Sequence, residues 1–302
     1  MAIDYTTAAL IADVKRRITI PTSQSLFPDS DLLEVLTREL HATVVPFYVS
    51  LREDFFKTHT DTACDGTTTS WAIPSRAIGQ KLIDVNLVQA GGSYQRLVLV
   101  DAEQITIGNG YWIEGSQITV YTAPTSSNSL RMSWLRRPNY LIASTSAAQI
   151  TSINTGTNTV TCSTVPTGYS TSTPVDFIQN VAPFASLRDD ATPTAVVTGA
   201  SGTIQFASLP TGLAVGDWVS PQFQSPIPQI PPEAHNYLAV CAGAQVLFAL
   251  GAMTEYQGIE AKRREMEVQI SKISAPRVDN DQRRIINKPF GTMVRSWGGR
   301  LY

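Results

Sequence analysis

The stretch Pro231-Pro232-Glu233-Ala234-His235-Asn236-Tyr237-Leu238-Ala239-Val240-Cys241-Ala242-Gly243-Ala244-Gln245 opens the last quarter of the chain and decides how the rest is read. Proline loses nothing at the first helical position, and an acid there faces the positive end of the helix dipole. The pattern that follows predicts one long helix from Ala234 to about Ser274, stopped by Pro276. Its first half is rich in small residues (Ala239, Ala242, Gly243, Ala244, Ala249, Gly251), which let another helix approach closely. Its second half is charged, with Met266, Ile270 and Ile273 as an apolar stripe. Beyond it, 276–302 is read as an extended docking tail. From Gln282 on, that tail carries Arg283, Arg284, Lys288, Arg295 and Arg300 and no acid, yet also Phe290, Trp297, Leu301 and Tyr302. Arginine with large aromatics is the composition of interface hot spots. A frayed terminus is the plain alternative. Basic charge plus aromatics also fits single-stranded nucleic acid, but the cations are few and the whole chain has a net charge of −2, so protein docking is the stronger reading.

Working back to the start, residues 1–60 read as N-terminal helices that pack with the C-terminal one, spanning 229–275, into a bundle. Thr6 or Thr7 can cap the first helix, with Leu10, Ile11, Val14 and Ile18 on one face and Lys15, Arg16 and Arg17 in the last turn. Asp31 with Glu34 three residues later forms a capping-box pattern. It opens a helix of about seven turns whose predicted apolar face is Leu33, Leu36, Leu40, Phe47, Leu51 and Phe55, kinked at Pro46.

Between the helical ends the period drops to two. After a polar link, Thr58 to Ser70, residues 64–140 read as an antiparallel β unit. Its hairpins are Lys81 to Gln89 with Tyr94 to Val100, and Tyr111 to Glu114 with Gln117 to Thr122, followed by a strand from Leu130 to Leu135. Residues 141–225 read as a second, Ser/Thr-rich β unit with strands at Gln149 to Ile153, Thr159 to Thr164, Thr194 to Thr198 and Thr203 to Ala207. The fold class expected is therefore α+β: a helical bundle from both chain ends, a large antiparallel β-rich insertion and an extended C-terminal tail.

The 302 residues give ample interior for a core, and 43% hydrophobic with 16% charged residues is the balance of a folded soluble protein. Three scattered cysteines, Cys64, Cys162 and Cys241, argue against a disulfide framework and for synthesis in a reducing cytoplasm. The start Met1-Ala2-Ile3-Asp4 has no basic flank and no apolar run after it, so neither a secretory leader nor a membrane span is expected.

Chemistry-bearing motifs are sparse. No phosphate-cradling glycine loop, nucleophile elbow or His-Glu-x-x-His is present, so no enzyme activity and no cofactor are expected. His59, Asp61, Cys64 and Asp65 are the one cluster of metal-ligand types, but they lack the second pair of ligands that structural zinc needs, so no metal is expected. His41 reads as a surface or interface residue, and His235 as an unremarkable neutral imidazole in a first helical turn. Asp189 and Asp190 read as a solvated loop pair, and Arg136-Arg137 as a charged sheet margin with a phosphate or acidic partner as the sharper reading. Trp71, Trp112, Trp134 and Trp218 are read as core.

Two segments resemble the head-to-tail adaptor, or connector (neck), proteins of tailed bacteriophages. They are Asp13-Val14-Lys15-Arg16-Arg17-Ile18 and Asp29-Ser30-Asp31-Leu32-Leu33, while the segments running from Trp71 to Gly79, from Trp134 to Tyr140 and from Tyr237 to Gln245 look like those of phage virion structural proteins. The resemblance implies a structural virion protein, made in the host cytoplasm and placed at the head–tail junction. It would form a homo-oligomeric ring of about twelve copies under the portal protein, meet a tail or nozzle protein below, and pass double-stranded DNA without sequence-specific contacts. The tail residues named above would bind the portal or a neighbouring subunit. Typical small adaptors lack so large a β insertion. Another tail or tube ring protein, or a carbohydrate-binding module in the Ser/Thr-rich β region, are the alternative readings.

Overall fold

A computed structural model describes residues 4–18, 27–101 and 110–274. Within them the chain is α+β, with helices contributed by both ends and antiparallel sheets between. Thr6 caps helix α1 (Thr7–Arg17), its hydroxyl accepting from the Ala9 amide. Lys15 at the end of α1 reaches Asp29 at 2.5 Å, which ties α1 to the start of α2 (Asp29–Glu39).

The expected capping box at Asp31 does not form. The helix begins two residues earlier, behind Pro28, which has no side-chain acceptor to offer; Asp29 and Asp31 instead sit in the first turn, toward the positive end of the dipole. The expected kink takes the form of a π-helical segment, Leu40–Val44, that leads into α3 (Val45–Leu51). Proline at 46 has no N–H for the carbonyl one turn back and its ring crowds that turn, and a widened turn just ahead relieves both problems. The extra residue in that turn also rotates the apolar face. The buried stripe is Leu32, Leu36, Leu40, Val44, Val45 and Tyr48, whereas Leu33, Phe47, Leu51 and Phe55 flank it half-buried.

The long C-terminal helix is two helices. α4 (Pro232–Ala249) ends at a turn in which Gly251 has φ +71°, and α5 (Met253–Ser274) folds back along α4. A left-handed residue terminates a helix cheaply only when it lacks a Cβ. The reversal is closed by the Tyr237 hydroxyl donating to Glu267 at 2.7 Å. Close approach explains the small residues: a Cβ added at Gly243 would lie 3.0 Å from the Ile259 side chain. α4 is apolar nearly all round because α1, α2 and α5 all pack on it, burying Tyr237, Leu238, Val240, Cys241 and Val246 in one core.

The first β region forms two four-stranded sheets. One has the order Lys57–Ala63, Ser129–Arg136, Ala77–Val88, Tyr94–Arg96, antiparallel throughout. Its edge strand Lys57–Ala63 occupies the stretch expected to be a polar link, where alternating threonines serve a half-exposed edge well. The other has the order Ser70–Ala72, Gln117–Val120, Gly110–Glu114, Val98–Leu99. The return strand of the first expected hairpin is thus divided between two sheets. Trp71 and Trp134 are core residues as expected, but Trp112 is only half-buried.

The second β region is built on a seven-stranded antiparallel sheet, ordered Ser186–Ala191, Val175–Ile178, Trp218–Pro221, Ala148–Asn154, Thr159–Cys162, Thr203–Phe206, Pro193–Val197. Ile150, Val160, Phe177, Ile204, Phe206 and Val219 form its interior. The strands Val175–Ile178 and Ser186–Ala191 were not expected, because the first is too short and too fully buried to alternate and the second is polar. Among the described residues no helix is long and apolar enough to cross a membrane.

Candidate functional site, an apolar groove beside a buried ionic clamp

Two features adjoin where the helical layer meets the sheets. The first is a clamp centred on Arg76, a residue of the loop before strand Ala77–Val88, and Asp176 of the second β region. The two are 100 positions apart in sequence. Arg76 is 5% exposed and Asp176 fully buried. The guanidinium grips the carboxylate with two bonds of 2.9 Å each, and also donates to Asn139 and to Asp190, both at 2.8 Å. The Asp176 carboxylate further accepts from the Asn139 side chain (2.8 Å) and from the backbone amides of Asp190 and Phe223 (3.0 Å each).

Those two amides explain an unusual backbone. Asp190 and Phe223 both adopt positive φ, 55° and 62°, a region that side-chain-bearing residues rarely enter and that persists only where surroundings enforce it. Here the carboxylate collects both N–H groups, and the Phe223 ring covers the Arg76 guanidinium at 4.2 Å. Burial pushes the Asp176 carboxyl up, against the pull of Arg76 and of the Asp190 amide. With five N–H donors converging on it the group is nonetheless ionised at neutral pH, since a proton would displace one of them. Burial alone would lower Arg76, but Asp189, Asp176 and Asp190 together hold it above its ordinary value.

A second pair reinforces the first. Arg136 grips Asp189 with bonds of 2.6 and 2.5 Å, and Ser186 donates to the same carboxylate at 2.6 Å. Burial opposes ionisation of Asp189, and the Arg136 bonds overcome it, lowering its pKa. The expectation of a solvated loop pair at Asp189 and Asp190 is therefore corrected. Both lie in strand Ser186–Ala191 as partners of arginines, and Arg136 meets an internal carboxylate.

The clamp fixes the segment 137–142, and that segment makes one wall of the groove. Asn139 points into the clamp, while its neighbours Arg137 and Tyr140 face the helices. Tyr140–Leu141 pairs in parallel with Gln224–Ser225, and the Leu141 amide donates to Thr37 of α2 at 3.3 Å. Opposite lie α2 and α3, with Ala42, Val45, Pro46 and Val49 along that wall and Ile78 completing the lining. The enclosed space is about 980 Å³ and open to solvent along one side. Ala42, Val45, Pro46 and Val49 stand at the i, i+3, i+4, i+7 spacing of one helical face, which is why they line the groove together.

His41 stands at the edge of this groove with its ring 5.1 Å from that of Tyr140 and its Nε2 buried without a partner. Burial, and then the nearby Arg137, lower its pKa, so it is neutral at pH 7. The Glu34–Arg38 pair (3.1 Å) lies at one end of the groove, and the Arg137 guanidinium is exposed with no acidic partner among the described residues. The arrangement offers an apolar trough with a cationic rim: a surface suited to a partner's side chains.

The other expected site residues fall out as follows. Arg283, Arg284, Lys288, Phe290, Arg295, Trp297, Arg300, Leu301 and Tyr302 lie outside the described residues. His59, Asp61, Cys64 and Asp65 are not gathered: Asp61 pairs with Arg131 at 2.6 Å, Asp65 caps the turn through Thr67 and Thr68, and Cys64 is buried. No group of three or more ligand-type side chains assembles among the described residues. His235 is less ordinary than expected. It is buried between the rings of Tyr5 (4.7 Å) and Phe184 (5.2 Å), and neither ring nitrogen makes a hydrogen bond of normal geometry. Burial lowers its pKa to about 4, opposed only by the Ile230 backbone. Compared with known families and with curated proteins, the chain matches none of either.

Proposed function

We propose that the protein is a structural component of a tailed-phage virion that forms a ring between portal and tail and continues the DNA channel. The observation that carries this reading is the layout: helices from both ends of the chain pack around α4, and all the sheet material lies between them. Helices from both chain ends on one core fit the adaptor resemblance, and the large β region between them is where this chain departs from typical small adaptors. The clamp supports the same reading. A ring that carries load between head and tail needs its parts fixed to one another, and Arg76 with Asp176 locks the first β region to the second. In this reading the bundle bounds the channel, and residues 276–302, with Arg283, Arg284, Lys288, Phe290, Arg295, Trp297, Arg300, Leu301 and Tyr302, dock on the portal or a neighbouring subunit.

The test is electron microscopy of the protein mixed with candidate portal rings, using intact chains and chains ending at Ala275. Intact protein decorating one pole of the portal, with the truncated form failing to bind, is the expected result. Decoration by both forms removes the tail from the mechanism. Decoration by neither, with capture of a tail component, moves the protein to a different ring of the virion.

A further inference from the structure

We propose that the groove between α2–α3 and Tyr140 receives the α4–α5 corner of a second copy of this chain, making a head-to-tail contact between subunits. This rests on the ring part of the reading above and supplies the joint by which such a ring would close.

The corner is the convex counterpart of the groove. α4 ends at Ala249 and α5 begins at Met253, and this one reversal exposes Phe248 (56%), Leu250 (43%) and Met253 (53%). Single exposed apolar residues are ordinary, but three large ones on one tight turn form a patch that water covers poorly. Gly251, at φ +71°, makes the turn, and the Tyr256 ring lies 5.5 Å from that of Phe248. The groove presents what such a knob needs: an apolar trough formed by Ala42, Val45, Pro46 and Val49, closed by Ile78 and Tyr140.

The charges agree in sign. Glu255, in the first turn of α5 beside Met253, is exposed and has no cationic partner among the described residues. Arg137 on the rim of the groove is exposed and has no acidic one. Seating the corner brings an unpaired acid toward an unpaired base, which fixes orientation more than it adds affinity.

The placement of the two patches gives the contact its consequence. α3 packs against the start of α4, with the Phe47 ring 5.5 Å from that of Tyr237, while the corner lies at the far end of the same helix. From Tyr237 to Leu250 the separation is about 20 Å at 1.5 Å per residue. Complementary patches at different places on one molecule produce a heterologous contact, which repeats and closes into a ring when the rotation permits.

The experiment uses the full chain, with oligomeric state read by sedimentation across a concentration series. Leu250→Asp alters the corner and Ala42→Asp the groove. Both positions are exposed, and a thermal melt checks that each variant is folded. For cross-linking, Ala42→Cys protein is mixed with Met253→Cys protein, a clean reporter because the native Cys64, Cys162 and Cys241 are all buried. Concentration-dependent wild-type oligomers, weakened about tenfold or more by each Asp variant, with disulfide-linked dimers only in the mixture, are expected. Oligomers that persist in both Asp variants overturn this contact and leave the ring reading intact. Loss with Ala42→Asp and with a chain ending at Ser274, but not with Leu250→Asp, gives the groove to the C-terminal segment and overturns the corner. A wild-type chain that stays monomeric, alone and with portal rings, removes the ring reading and this contact with it.

Discussion

Replacing Arg76 by methionine tests the clamp most directly. Methionine keeps much of the aliphatic volume under the Phe223 ring but removes four donated hydrogen bonds and the positive charge. Asp176, fully buried, is left with the Asn139 side chain and two backbone amides as its donors among the described residues. Removing one partner of a buried ion pair costs about 3–5 kcal/mol, because the survivor is an uncompensated charge out of water. In a chain of 302 residues that is a loss of about 5–8 °C in the unfolding midpoint. Tryptophan emission is a suitable assay, since Trp218 pairs directly with Ile178, two residues from Asp176 in the same strand.

The deficit carries a pH signature. Without Arg76 the Asp176 pKa rises further above its unfolded value, so the folded variant takes up a proton that the unfolded chain releases. A group raised in the folded state contributes fully below its unfolded pKa and loses that contribution as pH rises through the folded one. The gap between variant and wild type is therefore smallest near pH 4 and grows toward pH 7. Adding Asp176→Asn to the variant removes the lone charge and recovers part of the loss. A variant within 1 kcal/mol of wild type on the scale of a lost buried pair, or a deficit that ignores both pH and the second substitution, refutes the reasoning.

The other predictions concern separate parts of the fold. His235, held near pKa 4 against an ordinary 6.5, stabilises the protein fully above pH 6.5 and loses that stability as pH falls toward 4, by about 3 kcal/mol; His235→Phe flattens the loss in acid unfolding curves. Gly202→Ala would press its Cβ into the Val197 carbonyl and within 3.0 Å of the Gly199 carbonyl, so it destabilises far more than Gly251→Ala, which has open space and only its left-handed backbone to resist it, at about 1 kcal/mol. Comparative thermal melts rank the two. Thr6→Ala, which removes the cap of α1, lowers stability by about 1 kcal/mol in the same assay.

Local sequence carried the class of the fold. The Pro-Pro-Glu start of α4, the Thr6 cap, the drop of period beyond Ser70 and the turn at Gly115-Ser116 all act through neighbours along the chain, and the elements they imply are present. What the sequence misjudged depended on geometry that one residue can change. A single extra residue in the π segment moved the buried face beyond Leu40 from Phe47 to Val44 and Tyr48, and one glycine at φ +71° divided a helix in two.

The groove and the clamp were legible only in part, and the reason is distance along the chain. Arg76 and Asp176 have no shared motif, because a buried pair 100 residues apart needs only that the fold bring them together. Asp189 and Asp190 carry the composition of a solvated loop, and only the antiparallel pairing of Ser186–Ala191 with Val175–Ile178 sets them against Arg136 and Arg76. Sequence alone determined that helices from both ends flank a β-rich middle, since periodicity and caps are local. Tertiary structure alone decided which charges are buried, which apolar faces are left open, and that an open trough beside α2 and α3 and an exposed corner between α4 and α5 are separate patches, because each depends on which elements pack together.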